Sequence, residues 1–337
     1  MPTLQDVALS AGVSTATVSR VINGQPHVKP AVAEAVIRAI SELGYEPNYS
    51  AKSLRTSKTR KLIMTVPTIT NSFFASVIRA AQVRAQIAGY NLVLGNSGNN
   101  GELEDVYAQM LLSHEADGLI FLGRHLPESL LQLAQIKGAN MPAVNFCEHC
   151  DDIDLTSVNV DDKAAATTAM EYLYSLGHKR IGIITGLMDG PISRDRLEGV
   201  YATADKHGLR HDLVVLTGDY SARSGALCAA AVGRMLPRPT AIFCFGDEMA
   251  AGAIHEIGKM GLSCPEDISV MGFDDMHLAE FLNPSLTTIR QPAETIGVKA
   301  VELVLAALDE KLTERTRVTL EHKLVVRNST RQVLPSV

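Results

Sequence analysis

Residues 3–24 read TLQDVALSAGVSTATVSRVING, and their spacing decides what the first sixty residues build. Leu4, Val7, Ala8 and Ala11 recur at helical spacing. Thr3 is placed to cap the free amides, Asp6 sits where the helix dipole favours an acid, and Gly12 ends the run. A second helix starts at once with Ser14 as N-cap, runs from Thr15 to Ile22, and ends at Asn23-Gly24. Helix, glycine turn and short helix, with small Ala8 at the crossing and Val18 and Ile22 inward, make a helix-turn-helix. A third amphipathic helix, from about Pro30 to Leu43, supplies Val32, Val36, Ile40 and Leu43 to the same core, and Pro30 and Gly44 mark its ends.

The second helix turns Thr15, Ala16 and Arg20 outward. An arginine there bonds bidentately to guanine or holds a phosphate, and a threonine or alanine touches a thymine methyl. Thr17 and Ser19 suit phosphate contact or capping. Charge agrees with a nucleic-acid partner for this end of the chain. Residues 1–61 hold eight Lys/Arg against four Asp/Glu, a net +4, while the rest of the chain carries −10.

At 337 residues, two or three domains are expected, with the composition of a globular protein. The N-terminus MPTLQDVALS lacks a charged region followed by an apolar run, and no apolar stretch approaches the ~18 residues of a membrane span, so a cytoplasmic chain with no membrane role is expected. The five cysteines are odd in number and scattered, as in a reducing compartment. Cys147-Glu-His-Cys150 has CxxC spacing, but no second ligand pair follows, so it reads as a loop with two free thiols and no metal.

From Lys61 onward, apolar strands alternate with helical segments. The strands fall at 62–67, 90–96, 118–123, 142–146, 157–161, 180–186, 214–219, 240–246 and 268–274. This alternation predicts right-handed βαβ units in two largely parallel, doubly wound sheets, with ligands bound beyond the carboxyl ends of strands. The stretch GNSGNNGE (95–102) lacks both phosphate-loop signatures and reads as a strand-to-helix connection. Nucleophile-elbow, zincin and kinase motifs are absent, so neither enzyme activity nor a cofactor is expected.

The segments LQDVALSAGVSTATVSRVING and LGYEPNYSAKSLRT (43–56) resemble the head and hinge of the lactose/galactose repressor family of bacterial transcription regulators. The resemblance continues through LGHKRIGIITG (176–186), RDRLEGVYATA (194–204), GDYSARSGALCA (218–229), FCFGDEMAAGAI (243–254), PEDISVMGFDD (265–275) and PSLTTIRQP (284–292). It implies an all-α helix-turn-helix head (1–46), a hinge helix and linker (47–60), and an α/β two-lobed periplasmic-binding-protein-like core (61–337). Lobe one would be about 62–160 plus 290–320, and lobe two about 161–289 plus 321–330.

The resemblance further implies a homodimer on a near-palindromic double-stranded operator. The DNA-contacting set would be Thr3, Ser14, Thr15, Ala16, Thr17, Ser19, Arg20 and Asn23, then Asn48, Ala51, Lys52, Leu54 and Arg55 of the hinge. Leu54 matches the leucine that wedges into a minor-groove base step, and Lys52 stands where the family usually has arginine. A small-molecule effector, nucleoside or sugar, is expected between the lobes on Phe73, Phe74, Arg196, Tyr220 and Asp274. Gly246 stands where sugar-responsive members often carry Asn. The runs EYLYSLGHKRIGIITG, NSFF and LTTIRQP are most similar to the family's cytidine-responsive branch, in which Phe74 and Tyr220 would sandwich a base.

Overall fold

The computed structural model describes residues 2–22, 24–26, 28–46, 58–150 and 153–333. The chain forms two compact units, Met1–Thr59 and Arg60–Val337. The hinge residues Asn48, Ala51, Lys52, Leu54 and Arg55, with Asn23, lie outside the described residues.

The first unit contains α1 (Leu4–Ala11), α2 (Thr15–Ile22) and α3 (Pro30–Leu43). Thr3 and Asp6 form a reciprocal capping box: Thr3 Oγ1 accepts from the Asp6 backbone N–H, and the Thr3 N–H donates to Asp6 Oδ2 at 2.7 Å. Gly12 closes α1 at φ 65°, a left-handed conformation that glycine adopts without strain. Val7, Ala8, Val18, Val36 and Ala39 make the buried centre. Leu43, expected in that centre, is instead 37% exposed. The fourteen-residue α3 outruns its eight-residue partners, so its last turn lacks cover, and Tyr45 folds back onto the cluster after the Gly44 cap.

The second unit holds two six-stranded sheets. The first orders β11-β5-β4-β3-β1-β2, all parallel, from β1 (Lys61–Val66), β2 (Asn91–Asn96), β3 (Gly118–Phe121), β4 (Ala143–Phe146), β5 (Ser157–Val160) and β11 (Arg317–Leu320). The second orders β12-β10-β9-β8-β6-β7, from β6 (Ile181–Thr185), β7 (Leu213–Thr217), β8 (Ala241–Cys244), β9 (Ser269–Asp274), β10 (Thr287–Arg290) and β12 (Lys323–Val325). Only β12 among these runs antiparallel to its neighbour. All nine strands read from the sequence are present.

Lobe one, built on the first sheet, carries α4 (Ser72–Ile87), α5 (Gly101–Leu112), α6 (Leu131–Lys137) and α11 (Ala293–Leu308). Lobe two carries α7 (Asp162–Ser175), α8 (Pro191–His207), α9 (Ala222–Gly233) and α10 (Asp247–Lys259). The chain passes between sheets after β5, β10 and β11, which brings the carboxyl ends of both sets of parallel strands to one cleft. Strands such as Leu62–Met64 and Ile181–Ile184 are apolar on both faces because helices cover both sides of each sheet. Among the described residues no helix is long and apolar enough to cross a membrane.

Candidate functional site

The cleft between the lobes encloses about 360 Å³, in the range of small-molecule sites. Phe73, Phe74, Arg196, Tyr220 and Asp274 all line it. On the lobe-one side, Asn71 caps α4: its Oδ1 accepts from the backbone N–H groups of Phe73 at 2.9 Å and Phe74 at 3.4 Å. That cap fixes both rings in the first turn. Phe73 is buried in the lobe-one core and meets Phe74 edge-on at 5.5 Å, and Phe74 meets Phe146 edge-on at 6.5 Å.

On the lobe-two side, Arg196 of α8 is buried and fixed from three directions. Its Nε donates to Asp162 Oδ1 at 2.7 Å, its Nη1 donates to the Phe245 carbonyl at 2.6 Å, and its guanidinium carbon lies 3.5 Å from the centre of the Phe273 ring. A guanidinium has five N–H donors in a rigid fork, so a held arginine still has donors to offer. Asp274 ends β9 at φ 111° and accepts from Gln291 Nε2 at 2.7 Å. Burial pushes its carboxyl up to about 7, against the opposing influence of Arg196 and Gln291.

Tyr220 sits at φ 68°, and its hydroxyl is 2.7 Å from Ser193 Oγ. A Cβ at Gly186 would fall inside the Tyr220 ring, and one at Gly246 would stand 3.4 Å from Tyr220 Cδ1. Gly186 therefore makes room for the ring beside the cleft, and Gly246 lies in ordinary contact with it. Burial also raises the Tyr220 pKa, which keeps its hydroxyl protonated at neutral pH.

Sequence reasoning missed Glu148, Ser193 and Gln291, which line the same cleft, and Asp162, which holds Arg196. Gln291 lies within the quoted PSLTTIRQP run, and Asp162 follows directly on the SVNVD strand. Glu148 sits between the two cysteines whose spacing drew the eye to thiols. It is only 5% exposed, and burial raises its carboxyl to about 7. Cys147 and Cys150 are buried and outside any disulfide, Cys150 Sγ donates to the Gly123 carbonyl, and Cys147 lines the cleft.

In the first unit, Thr15, Ala16 and Arg20 share an exposed face of α2, and Thr3 and Ser14 are exposed at the helix starts. Ser14 Oγ accepts from the Thr17 backbone N–H at 3.2 Å, which caps α2, and lies 2.9 Å from the Thr17 hydroxyl. Ser19 is partly exposed.

The profile of bacterial regulatory proteins of the lacI family matches residues 3–48, and that of the periplasmic binding protein-like domain matches residues 170–330. The chain is similar to the transcriptional repressor CytR of Escherichia coli strain K12, with 33% identity over 98% of this chain and 96% of the relative. It is similar to the transcriptional repressor PurR of Pasteurella multocida, with 35% identity over 99% of this chain and 100% of the relative. Among solved structures, the Lac repressor dimer bound to operator and the anti-inducer ONPF aligns with a TM-score of 0.85 and 28% identity, over 98% of this chain and 99% of the other.

Proposed function

This chain belongs to the lacI family of bacterial regulatory proteins and is a DNA-binding transcriptional repressor with an effector-binding core; from that premise we propose that a nucleoside held in the cleft sets its affinity for a near-palindromic operator. The observation that carries the nucleoside reading is the Tyr220 ring, seated against Gly186 and Gly246 beside the fixed Arg196 and the acceptor Asp274. A planar base lies against Tyr220, with Phe74 contributing from lobe one. Asp274 accepts from a ribose hydroxyl or a ring N–H, and Arg196 donates to the ligand's polar edge. Gly246 carries no side chain, so no reader of sugar hydroxyls stands at that point, and a Cβ there would only touch Tyr220 at ordinary van der Waals distance.

On the DNA side, the chain acts as a homodimer whose two heads read the two halves of the operator. Arg20, Thr15 and Ala16 face base edges, while Thr3, Ser14, Thr17, Ser19 and Asn23 hold the backbone. Asn48, Ala51, Lys52, Leu54 and Arg55 form the hinge, with Leu54 as the minor-groove wedge. A short hinge helix is below the length stable alone in water, so DNA and the dimer partner order it, and lobe movement that parts the two hinges releases it.

A thermal-shift screen of nucleosides, pentoses and hexoses, with hits retested by operator gel shift, tests the reading. Ligand at about 100 times its Kd stabilises by about 2.7 kcal/mol, well within detection. A nucleoside that raises the melting temperature and changes the gel shift supports it. A pentose or hexose that does so, with every nucleoside silent, overturns it in favour of a sugar.

A further inference from the structure

The two lobes touch across the cleft through charged side chains as well as through the chain crossovers. Arg124, in the loop after β3, donates from Nη1 to Asp189 Oδ2 at 2.6 Å, and Asp189 directly precedes Gly190, the N-cap residue of α8. Glu148, in the loop after β4, packs against the same turn: its Oε1 would lie 3.1 Å from a methyl placed on Gly190. Against the burial that raises its pKa, both Arg124 and the Ile192 backbone N–H favour its ionised form. One residue on, His149 Nδ1 lies 3.8 Å from Asp195 Oδ2. Three side chains of lobe one thus converge on residues 189–195, which include the first turn of the helix bearing Arg196.

The start of that helix has no side-chain cap of its own at Gly190. Negative charge is favourable at a helix N-terminus, and Glu148 reaches this one from the opposite lobe, with Arg124 and the Ile192 N–H favouring its ionised form. Arg124 stands between two carboxylates, one from each lobe, so its contact with Asp189 exists only while the lobes are together. We infer that Arg124, Glu148 and Asp189 form a charged latch that fastens the first turn of α8 to lobe one and favours the closed cleft, an inference that rests on reading this cleft as the effector site. A contact present in one lobe arrangement and absent from the other is the kind of differential interaction that biases a switch. Asp189 is 62% exposed, so the bias is modest, up to about five-fold.

A double-mutant cycle with Arg124→Ala, Asp189→Ala and the pair together, read by hydrogen exchange at the amides of 192–195 in the full-length protein, tests the latch. Each single change is expected to speed exchange there by about five-fold, and the double by no more than the larger single. Glu148→Gln is expected to speed the same amides. Unchanged exchange, or losses that multiply in the double, would overturn the latch. Calorimetric titration with cytidine runs beside it: each latch variant is expected to bind about five-fold more weakly than wild type. A wild type that binds no cytidine, with the exchange cycle intact, would count against the nucleoside reading and leave the latch standing.

Discussion

A carboxyl lifted by burial answers pH in the opposite sense to one held in a surface ion pair. Asp274 rises from near 3.8 to about 7, so between those values the folded chain keeps a proton that the unfolded chain has released. Its contribution to stability is therefore complete below about pH 4 and lost as pH rises through about 7; Glu148 behaves in the same sense from near 4.5. Calorimetric unfolding of Asp274→Asn is expected to give melting temperatures that climb relative to wild type as pH goes from about 5 to about 8. A difference independent of pH would contradict the assignment. Under the nucleoside proposal Asp274 accepts from the ligand in its ionised form, so cytidine affinity of the wild type, measured by calorimetric titration, is expected to rise over the same interval. Arg196 makes a second case. Arg196→Gln strands Asp162 in a buried position and is expected to lower the urea-unfolding free energy by about 3–5 kcal/mol. The exposed pair Arg79–Glu294 offers the contrast, since Arg79→Gln should cost less than about 1 kcal/mol.

Elements differ in how plainly the chain announces them. Of the nine strands read from the sequence, β1, β3, β4, β6 and β8 are buried along nearly their whole length and the edge strands β2 and β7 are partly exposed, whereas β10 reads Thr-Thr-Ile-Arg and β11 and β12 are short and half-exposed. The exposed and half-buried positions of β11 and β12 give no continuous apolar run. The two residues between β11 and β12 look like a hairpin turn, yet they carry the chain from one sheet to the other, a choice made by the packing of whole lobes. The described part of the head was largely legible, since caps, small residues and spacing all act locally; at the two ends of α3, Val32 and Leu43 fall outside the core cluster that the spacing assigned them to. In the cleft, Arg196, Tyr220 and Asp274 were legible through motif likeness. Glu148, Ser193 and Gln291 were not, because each is a lone polar residue whose neighbours come from distant parts of the chain. At the hinge, Leu54→Ala is expected to weaken operator binding far more than binding to a random duplex, measured by gel shift at one salt concentration. Loss of the wedge removes the bend-dependent contacts, worth about a few kcal/mol, while the cations still attract phosphate. Equal loss on both duplexes would reduce Leu54 to a linker residue.

At the scale of the whole molecule, residues 1–61 carry a net +4 while the remainder carries −10, so attraction to a polyanion falls to the head. Operator affinity therefore falls steeply with salt, and any comparison must hold salt fixed. An effector moves such a repressor only through its differential affinity for two lobe arrangements, and about 5.5 kcal/mol takes the equilibrium from nearly all one to nearly all the other. The cleft supplies candidate sources for that difference in Tyr220, Asp274 and Arg196 on one lobe and Phe74 and the Arg124–Glu148 side on the other. The most direct measurement is fluorescence anisotropy of a palindromic operator, selected from random duplexes, titrated with full-length protein with and without cytidine. In the wild type, cytidine should change the operator Kd by about ten-fold or more, and in Asp274→Asn it should leave the Kd where it was. A wild-type operator Kd unmoved by cytidine at about millimolar concentration, or an equal shift in Asp274→Asn, would contradict the account.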